Sequence, residues 1–511
     1  NSNSSKVKKQ LFPIILALIF MYAIGTYLYI FADELAKLNL TYIMLTIAMI
    51  VPTIFTLIEG IYKSQGILFE TKDNDLLFSL PIKKSKIVLA RLIKLYIFQY
   101  LYNLLFIIPA YAIYIYYENP GINFYLVSII MTFLLPIIPT IIASFIGFII
   151  KGISSKFKAK KIVQTIITIG IFLLVFYGSF NLNNFVTNLL NNATSINEII
   201  SKIYYPIGAY IELIQEFNPL KLINLIIINL FTLAVFIIIV SKYYFKIISK
   251  SNEKSSNTYI KNIKVKERKP ILSLVIKELK RYFSSTVYMI NTLIGLVILV
   301  VATIAMSINL NGTIEMITEG EGFGVEINQI LEIIPKIFFG LIVGTACLSS
   351  ITSSSISLEG KSFYILKSLP IKSSNILLAK VLTSNLIVIP IILISDIIFF
   401  VSFKPELFDI ISIILISIIM PTFVGILGLL INLKYPKMNA TSDTEVVKQS
   451  MSSMIAVFGG MIIAAILIGF IIAMSSNLAV IIEIVVLSIL TIILYKILLK
   501  YGERRFKEIN N

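Results

Sequence analysis

The chain has 511 residues, 57% of them hydrophobic and 14% charged, with a mean hydropathy of +0.92 and a net charge of +17. An ordinary soluble domain carries about 25% charged residues, so the composition excludes a water-surrounded globule and points to lipid as the main solvent. There is no histidine and one cysteine, Cys347, which removes internal disulfides, multi-cysteine metal sites, haem and Ser-His chemistry.

Apolar runs of about 20 residues, the length needed to cross a bilayer as a helix, recur along the whole sequence. In chain order they predict spans near 11–31, 41–59, 95–117, 124–150, 162–180 and 221–245, then near 287–308, 334–352, 376–401, 406–432, 451–474 and 479–499. The first run continues past Tyr27 with no small-residue cleavage site, so it reads as a retained span. The predicted fold class is all-α: a polytopic membrane protein of about twelve transmembrane helices. With the N-terminus inside, 39 of the 44 Lys and Arg residues fall in inner segments. The loop between the seventh and eighth spans instead carries Glu315, Glu319, Glu321 and Glu326. By the positive-inside rule both termini are expected in the cytoplasm, as for a multi-pass protein of a bacterial-type plasma membrane. The basic charge is then a topogenic signal with lipid contact as its second use, and nucleic acid is not an expected partner.

The pattern E-x-K-x4-L-x-SLPIK occurs twice. Laid over one another at an offset of 289, residues 70–91 and 359–380 are identical at 12 of 22 positions without a gap. Each copy follows the second span of its group of six, so the halves run in the same direction and form parallel repeats. The expected organisation is a first six-helix half at 1–245, a polar linker at 246–270 and a second half at 271–511. That second half opens with an amphipathic interfacial helix at 271–283 bearing Ile271, Leu272, Val275, Leu279 and Phe283 on one face. In each copy the residue before proline, Leu80 or Leu369, is disfavoured in the α region and ends a short helix. The next helix then starts on its way into the membrane. An amphipathic inter-span helix is satisfied by lying on lipid, but lipid contact does not require SLPIK twice; duplication favours docking to a partner.

The segment EGKSFYILKSLPIKSSNILLAK, with six spans per half and a cytoplasmic N-terminus, resembles the membrane (permease) subunits of type-2 ABC exporters, here as two half-permeases fused in one chain. The resemblance implies that residues 70–84 and 359–373 dock two copies of a cytoplasmic ATP-binding subunit. It assigns ATPase coupling to Glu70, Lys72, Leu77, Leu80, Pro81 and Lys83 and to Glu359, Lys361, Leu366, Leu369, Pro370 and Lys372. It also implies an interfacial helix before the first span of each half, matched well by 271–283 and poorly by 6–10. Short re-entrant helices are implied between the fifth and sixth spans. The stretch from Ile196 is long enough for them, but 475–478 is too short, so the outer face is expected to be asymmetric.

No ATPase is encoded. The GKS at Gly360 to Ser362 has Ser355 where a phosphate loop needs glycine, and GEGFG at 320–324 lacks a strand-to-helix context. The chain is therefore expected to be a non-enzyme with no catalytic residue, metal or cofactor of its own, ATP and magnesium being used by the partner. Ionisable residues within spans are few and costly. Asp396 and Glu483 are candidate pathway or inter-helix positions, whereas Glu59 and Lys94 are expected to snorkel to the interface. Prolines 13, 52, 109, 136, 139, 390 and 421 are expected to bend spans, PIIPT at 136–140 most of all. The expected function is export of an apolar or amphipathic cargo such as a peptide, a drug or a lipid. The alternative is an ion-coupled secondary transporter or lipid-linked flippase. An intramembrane enzyme lacks its groups, since there is no histidine and no pair of carboxylates deep in the spans.

Overall fold

A computed structural model describes residues 2–37, 40–69, 74–157, 159–180, 204–252, 269–308, 327–474 and 476–509. Every regular element among them is helical, and eleven helical runs are long and apolar enough to cross a membrane. The chain divides into two compact units, Asn1–Thr258 and Tyr259–Asn511, with the boundary inside the expected linker.

The first unit contains α1 (Ser2–Ala36), α2 (Thr41–Ser64), α3 (Asn74–Ser79), α4 (Lys84–Glu118), α5 (Ile122–Leu134), α6 (Ile137–Ser154), α7 (Lys160–Phe180), α8 (Tyr205–Gln215) and α9 (Pro219–Asn252). α1 enters its span as one continuous helix, so the separate interfacial helix implied at 6–10 is not formed. The expected fifth span, 162–180, falls on α7. The candidate re-entrant stretch from Ile196 lies outside the described residues as far as 203, after which α8 forms.

α2 and α6 pack through small residues four apart, Gly60 and Ser64 against Ala143 and Gly147. A Cβ added at Gly60 would lie 2.7 Å from Ala143 Cβ, and one at Gly147 would overlap Ser64 Oγ. Close approach of this kind gives helices in lipid the van der Waals contact that the hydrophobic effect does not supply there. Gly147→Ala is expected to destabilise the protein by about 1–3 kcal/mol through overpacking. A lowered melting temperature in detergent would register this; an unchanged one would mean that the two helices part freely.

Glu59 does not snorkel. It is buried and ion-paired with Lys63 one turn on, at 2.8 Å, with the Lys63 ammonium 4.5 Å from the centre of the Tyr102 ring. Lys94 is exposed, as expected. The fourth span is broken at Leu135–Pro136, within the PIIP run. Tyrosine hydroxyls donate to two carbonyls at the break, Tyr96 to Phe133 at 2.7 Å and Tyr204 to Leu135 at 3.3 Å. The Leu135 carbonyl is the one that Pro139, lacking an N–H, leaves without its helical partner.

The second unit contains α10 (Pro270–Tyr282), α11 (Thr286–Ile308), α12 (Ile327–Leu348), α13 (Phe363–Ser368), α14 (Ser373–Phe403), α15 (Leu407–Lys434), α16 (Asp443–Gln449), α17 (Met451–Met474), α18 (Asn477–Ile497) and α19 (Glu503–Glu508). Here the fourth span, α15, is unbroken and holds Pro421 within it. Helix α10 forms where expected but turns a different face inward. Leu274, Val275, Glu278 and Tyr282 are buried, while Leu272 and Phe283 are exposed. Glu278 sets this rotation, because its partners lie inside the unit. The exposed apolar residues then remain for lipid, as an interfacial helix requires.

The repeat also appears at the opposite end of the spans. Asn119 and Lys404 end α4 and α14 in the left-handed conformation, φ 44° and 46°. Each donates its N–H to the carbonyl four residues back, at 3.1 Å, and each is followed by proline, Pro120 or Pro405. The turn between third and fourth spans is thus duplicated. The offset here is 285 because α14, with 31 residues, is four shorter than α4, with 35, or about one helical turn.

Candidate functional site

The repeated segments differ in charge and partners but share one backbone path. Both start with a six-residue helix, α3 or α13. Both then reach the Leu-Pro step, where the amide of Ile82 or Ile371 bonds the carbonyl of Leu80 or Leu369 at 2.7 or 2.8 Å. Both restart from an extended lysine, Lys83 at φ −60°, ψ 131° and Lys372 at φ −56°, ψ 133°. Leu369 itself is extended, at φ −68°, ψ 139°, as a residue before proline should be. From there α4 and α14 run without interruption to the other side of their unit, over about 52 and 46 Å at 1.5 Å per residue.

Each segment has an anchored and a free side. In the first, Asn74 is buried and Leu77 half-buried, while Leu76, Leu80, Pro81 and Ile82 are exposed beside Lys83, Lys84 and Lys86. In the second, Phe363 and Leu366 are buried, while Tyr364, Ile365, Leu369 and Pro370 are exposed beside Lys361, Lys367 and Lys372. Leu76 and Leu80 correspond to Ile365 and Leu369. They present the same apolar pair, four residues apart, inside a basic rim. Glu70 and Lys72 lie outside the described residues.

Glu359 is not on that surface. It is 4% exposed and lies where the chain, leaving α12, turns through buried Ser and Thr side chains, with Asn432 of α15 accepting the amides of Ile356 and Ser357 at 2.7 and 3.2 Å. Three cations meet its carboxylate: Lys277 at 2.6 Å, Lys380 at 3.1 Å and Arg281. Lys380, 2% exposed, also pairs with Glu278 at 2.9 Å. This network pins α10 to the chain entering the second repeated segment and to α14. Gly360 follows with φ +51°, a left-handed turn that glycine makes without strain. A β-carbon there would also sit 3.4 Å from the Met438 carbonyl. Gly360→Ala should cost about 1–2 kcal/mol; full retention of the melting temperature would deny the turn this role.

Sequence reasoning missed the residue that closes the network. Arg91 and Lys380 occupy the last position of the 22-residue match, a cation in both copies. Arg91 donates to the Leu68 carbonyl at 2.9 Å, to Asn74 Oδ1 at 2.6 Å and to the Tyr244 hydroxyl at 2.6 Å. Lys380 donates to the Ser355 carbonyl at 3.2 Å. In both units the second span ends in a turn that departs from α geometry, a π turn at Gln65–Phe69 and 3₁₀ turns at Thr352–Ser354 and Ser357–Ser362. A cation from the third span ties down the carbonyls there. The signal in the sequence was the matched basic residue, read as part of a membrane-entry helix.

The copies differ in their surroundings. Beside the first is a cavity of about 200 Å³ lined by Leu77, Phe78, Ile82, Lys84 and Ile87. The second is buttressed by the chain after the last span. Lys367 donates to the carbonyls of Lys507 and Ile509 at 2.8 and 3.0 Å, and Phe363 packs edge-on to Phe506 of α19 at 4.9 Å.

The intramembrane acids stand apart from this site. Asp396, on α14, and Glu483, on α18, are buried with no hydrogen-bond partner on either oxygen. Among the described residues no group of three or more His, Cys, Asp or Glu could hold a metal.

A family model described as a membrane protein of 12 TMs matches residues 4–500. Its count is one more than the eleven apolar runs found among the described residues, to which α7 does not belong. No curated protein and no solved structure matches the chain.

Proposed function

Because the chain belongs to the family of membrane proteins with twelve spans, we propose that it is the permease of an ATP-driven exporter, two half-permeases fused in one polypeptide. Two ATP-binding subunits dock on segments 70–84 and 359–373 and use ATP and magnesium; this chain contributes no catalytic group. The observation that carries the reading is the pair of free surfaces, Leu76, Leu80, Pro81 and Lys83 matched by Ile365, Leu369, Pro370 and Lys372, on one backbone path. A contact made twice is what two copies of one partner require. The docked segments move α4 and α14 directly, since each helix restarts three residues after the proline. Both termini and both segments face the cytoplasm of a bacterial-type plasma membrane, and the cargo is apolar or amphipathic.

The test is purification of the chain from its native membranes under conditions that keep complexes intact. The expected result is an ATP-binding subunit at two copies per chain, with magnesium-dependent ATP hydrolysis. The second reading, an ion-coupled carrier or lipid-linked flippase, draws on the unpartnered carboxyls of Asp396 and Glu483. Transport in vesicles that continues without ATP and stops when the ion gradient collapses would overturn the first reading in favour of it.

A further inference from the structure

The break in the fourth span opens a second cavity, of about 270 Å³, on the flank of the first unit. Its walls are Leu89, Leu92, Ile93 and Tyr96 of α4, Phe133 of α5, Ile137, Thr140 and Ile141 of α6, and Leu233 of α9. Ile93 and Phe133, at 47% and 52% exposure, form its open rim on the lipid-facing surface. The cavity lies within the membrane, since Tyr96 is twelve residues, about 18 Å, along α4 from its start.

Three observations indicate that this is a built site and not a lapse in packing. The break that creates it is held by the tyrosine hydroxyls of Tyr96 and Tyr204 on the Phe133 and Leu135 carbonyls. The rim is braced by stacking of Tyr100 on Phe133, with ring centres 5.2 Å apart and planes within 10°. And the interior holds a polar group in waiting: Thr140 is 1% exposed, lines the cavity, and its hydroxyl has no hydrogen-bond partner. The second unit, whose fourth span is continuous, has no counterpart of the break.

The lining decides the occupant. Water needs two to four polar partners, and here the wall offers little beyond one hydroxyl. An empty apolar space would forfeit the dispersion contacts of nine side chains. The opening faces acyl chains on its own side. We propose that this cavity is a binding site for the acyl chain of a membrane phospholipid, whose ester carbonyl accepts the Thr140 hydroxyl. Bound there, the chain wedges the bend between the third, fourth and sixth spans and fixes their spacing. This goes beyond the exporter reading and does not depend on it.

The test uses the full chain in phospholipid vesicles containing phosphatidylglycerol with a photoactivatable diazirine in its acyl chain, followed by peptide mapping. The expected result is cross-linking concentrated on 89–96 and 133–141. Labelling there should fall at least tenfold in Ile93→Trp and in Thr140→Phe, which fill the space from opposite walls. Labelling at the lipid-facing surface around Ile466, 65% exposed in the second unit, should stay the same. Two filling variants are used because either alone risks misfolding, and retained melting temperature qualifies each. Uniform labelling over all lipid-facing helices, or labelling unchanged in both folded variants, overturns the proposal. No ATPase enters the experiment, so its outcome is separate from that of the export test.

Discussion

Lys380→Met is expected to destabilise the second unit by about 3–5 kcal/mol, the range for removing one partner of a buried ion pair. Lys380 is 2% exposed and lies between two carboxylates, Glu278 at 2.9 Å and Glu359 at 3.1 Å. Without it two acids, 7% and 4% exposed, face each other in a region water scarcely reaches. Lys277 and Arg281 still neutralise Glu359, but they do so from the partly exposed side of the network and reach Glu278 only through Lys277. Adding Glu278→Gln to Lys380→Met should therefore restore part of the loss, because it removes the repulsion while keeping the volume. Glu359→Gln alone should cost less than Lys380→Met, since Glu278 continues to pair with the buried ammonium. Unfolding in detergent followed by tryptophan-independent means, such as loss of solubility on heating, measures all four; equal stability of wild type and Lys380→Met would mean that the network contributes nothing. Arg91 fills the matching position in the first unit, where its guanidinium donates to Asn74 and Tyr244.

The surroundings of Lys380 show where sequence reasoning stops. Spans, the duplicated segment and its proline-ended helix are local properties: apolar length, identity at fixed offset, and the steric demand of proline on Leu80 and Leu369. All of these were legible. The fate of Glu359 was not, because it is decided by Lys277 and Arg281, about 80 residues earlier on a helix whose inward face cannot be inferred from apolar residues alone. Periodicity favoured Ile271, Leu272, Val275, Leu279 and Phe283, yet the buried acid Glu278 is what orients α10. An apolar moment counts Glu278 against burial; the two cations it pairs with, Lys277 and Lys380, reverse that sign. Glu59 misled for the same reason, its partner Lys63 lying one turn away at the end of a span. The duplicated turn between the third and fourth spans was hidden differently. A four-residue difference between α4 and α14 shifts the offset from 289 to 285, so the match between Asn119-Pro120 and Lys404-Pro405 drops out of a gapless comparison. One turn of helix is the length change that leaves the faces of a span in register.

The proposed docking surfaces should respond most to charge placed at their apolar centres. Leu80 and Leu369, 44% and 36% exposed, stand at the Leu-Pro step of each segment, where the chain is held by the anchored residues behind it. Aspartate at either site costs little folding free energy because the side chain faces outward, but it puts an unpaired charge at the middle of a desolvated contact. Each substitution is expected to weaken association with an ATP-binding subunit by about 2 kcal/mol or more, roughly 30-fold. The two should be unequal. Beside Leu80 the cavity of about 200 Å³ lined by Leu77, Phe78 and Ile82 can receive an apolar side chain of the partner. Beside Leu369 the buttress of Phe506 and the Lys507 and Ile509 carbonyls on Lys367 leaves a flatter face. Leu80→Asp should therefore release one ATP-binding subunit more readily than Leu369→Asp releases the other. The double variant should lose both, and coupled ATP hydrolysis with them, while its melting temperature stays near that of the wild type. Quantitative co-purification reads the ratio directly, at two, one or no partner copies per chain. Glu359 is the wrong residue for this test, since its replacement would unsettle α10 and the turn at Gly360 whether or not a partner binds. Retention of two partner copies by the folded double variant would remove the segments from the docking site.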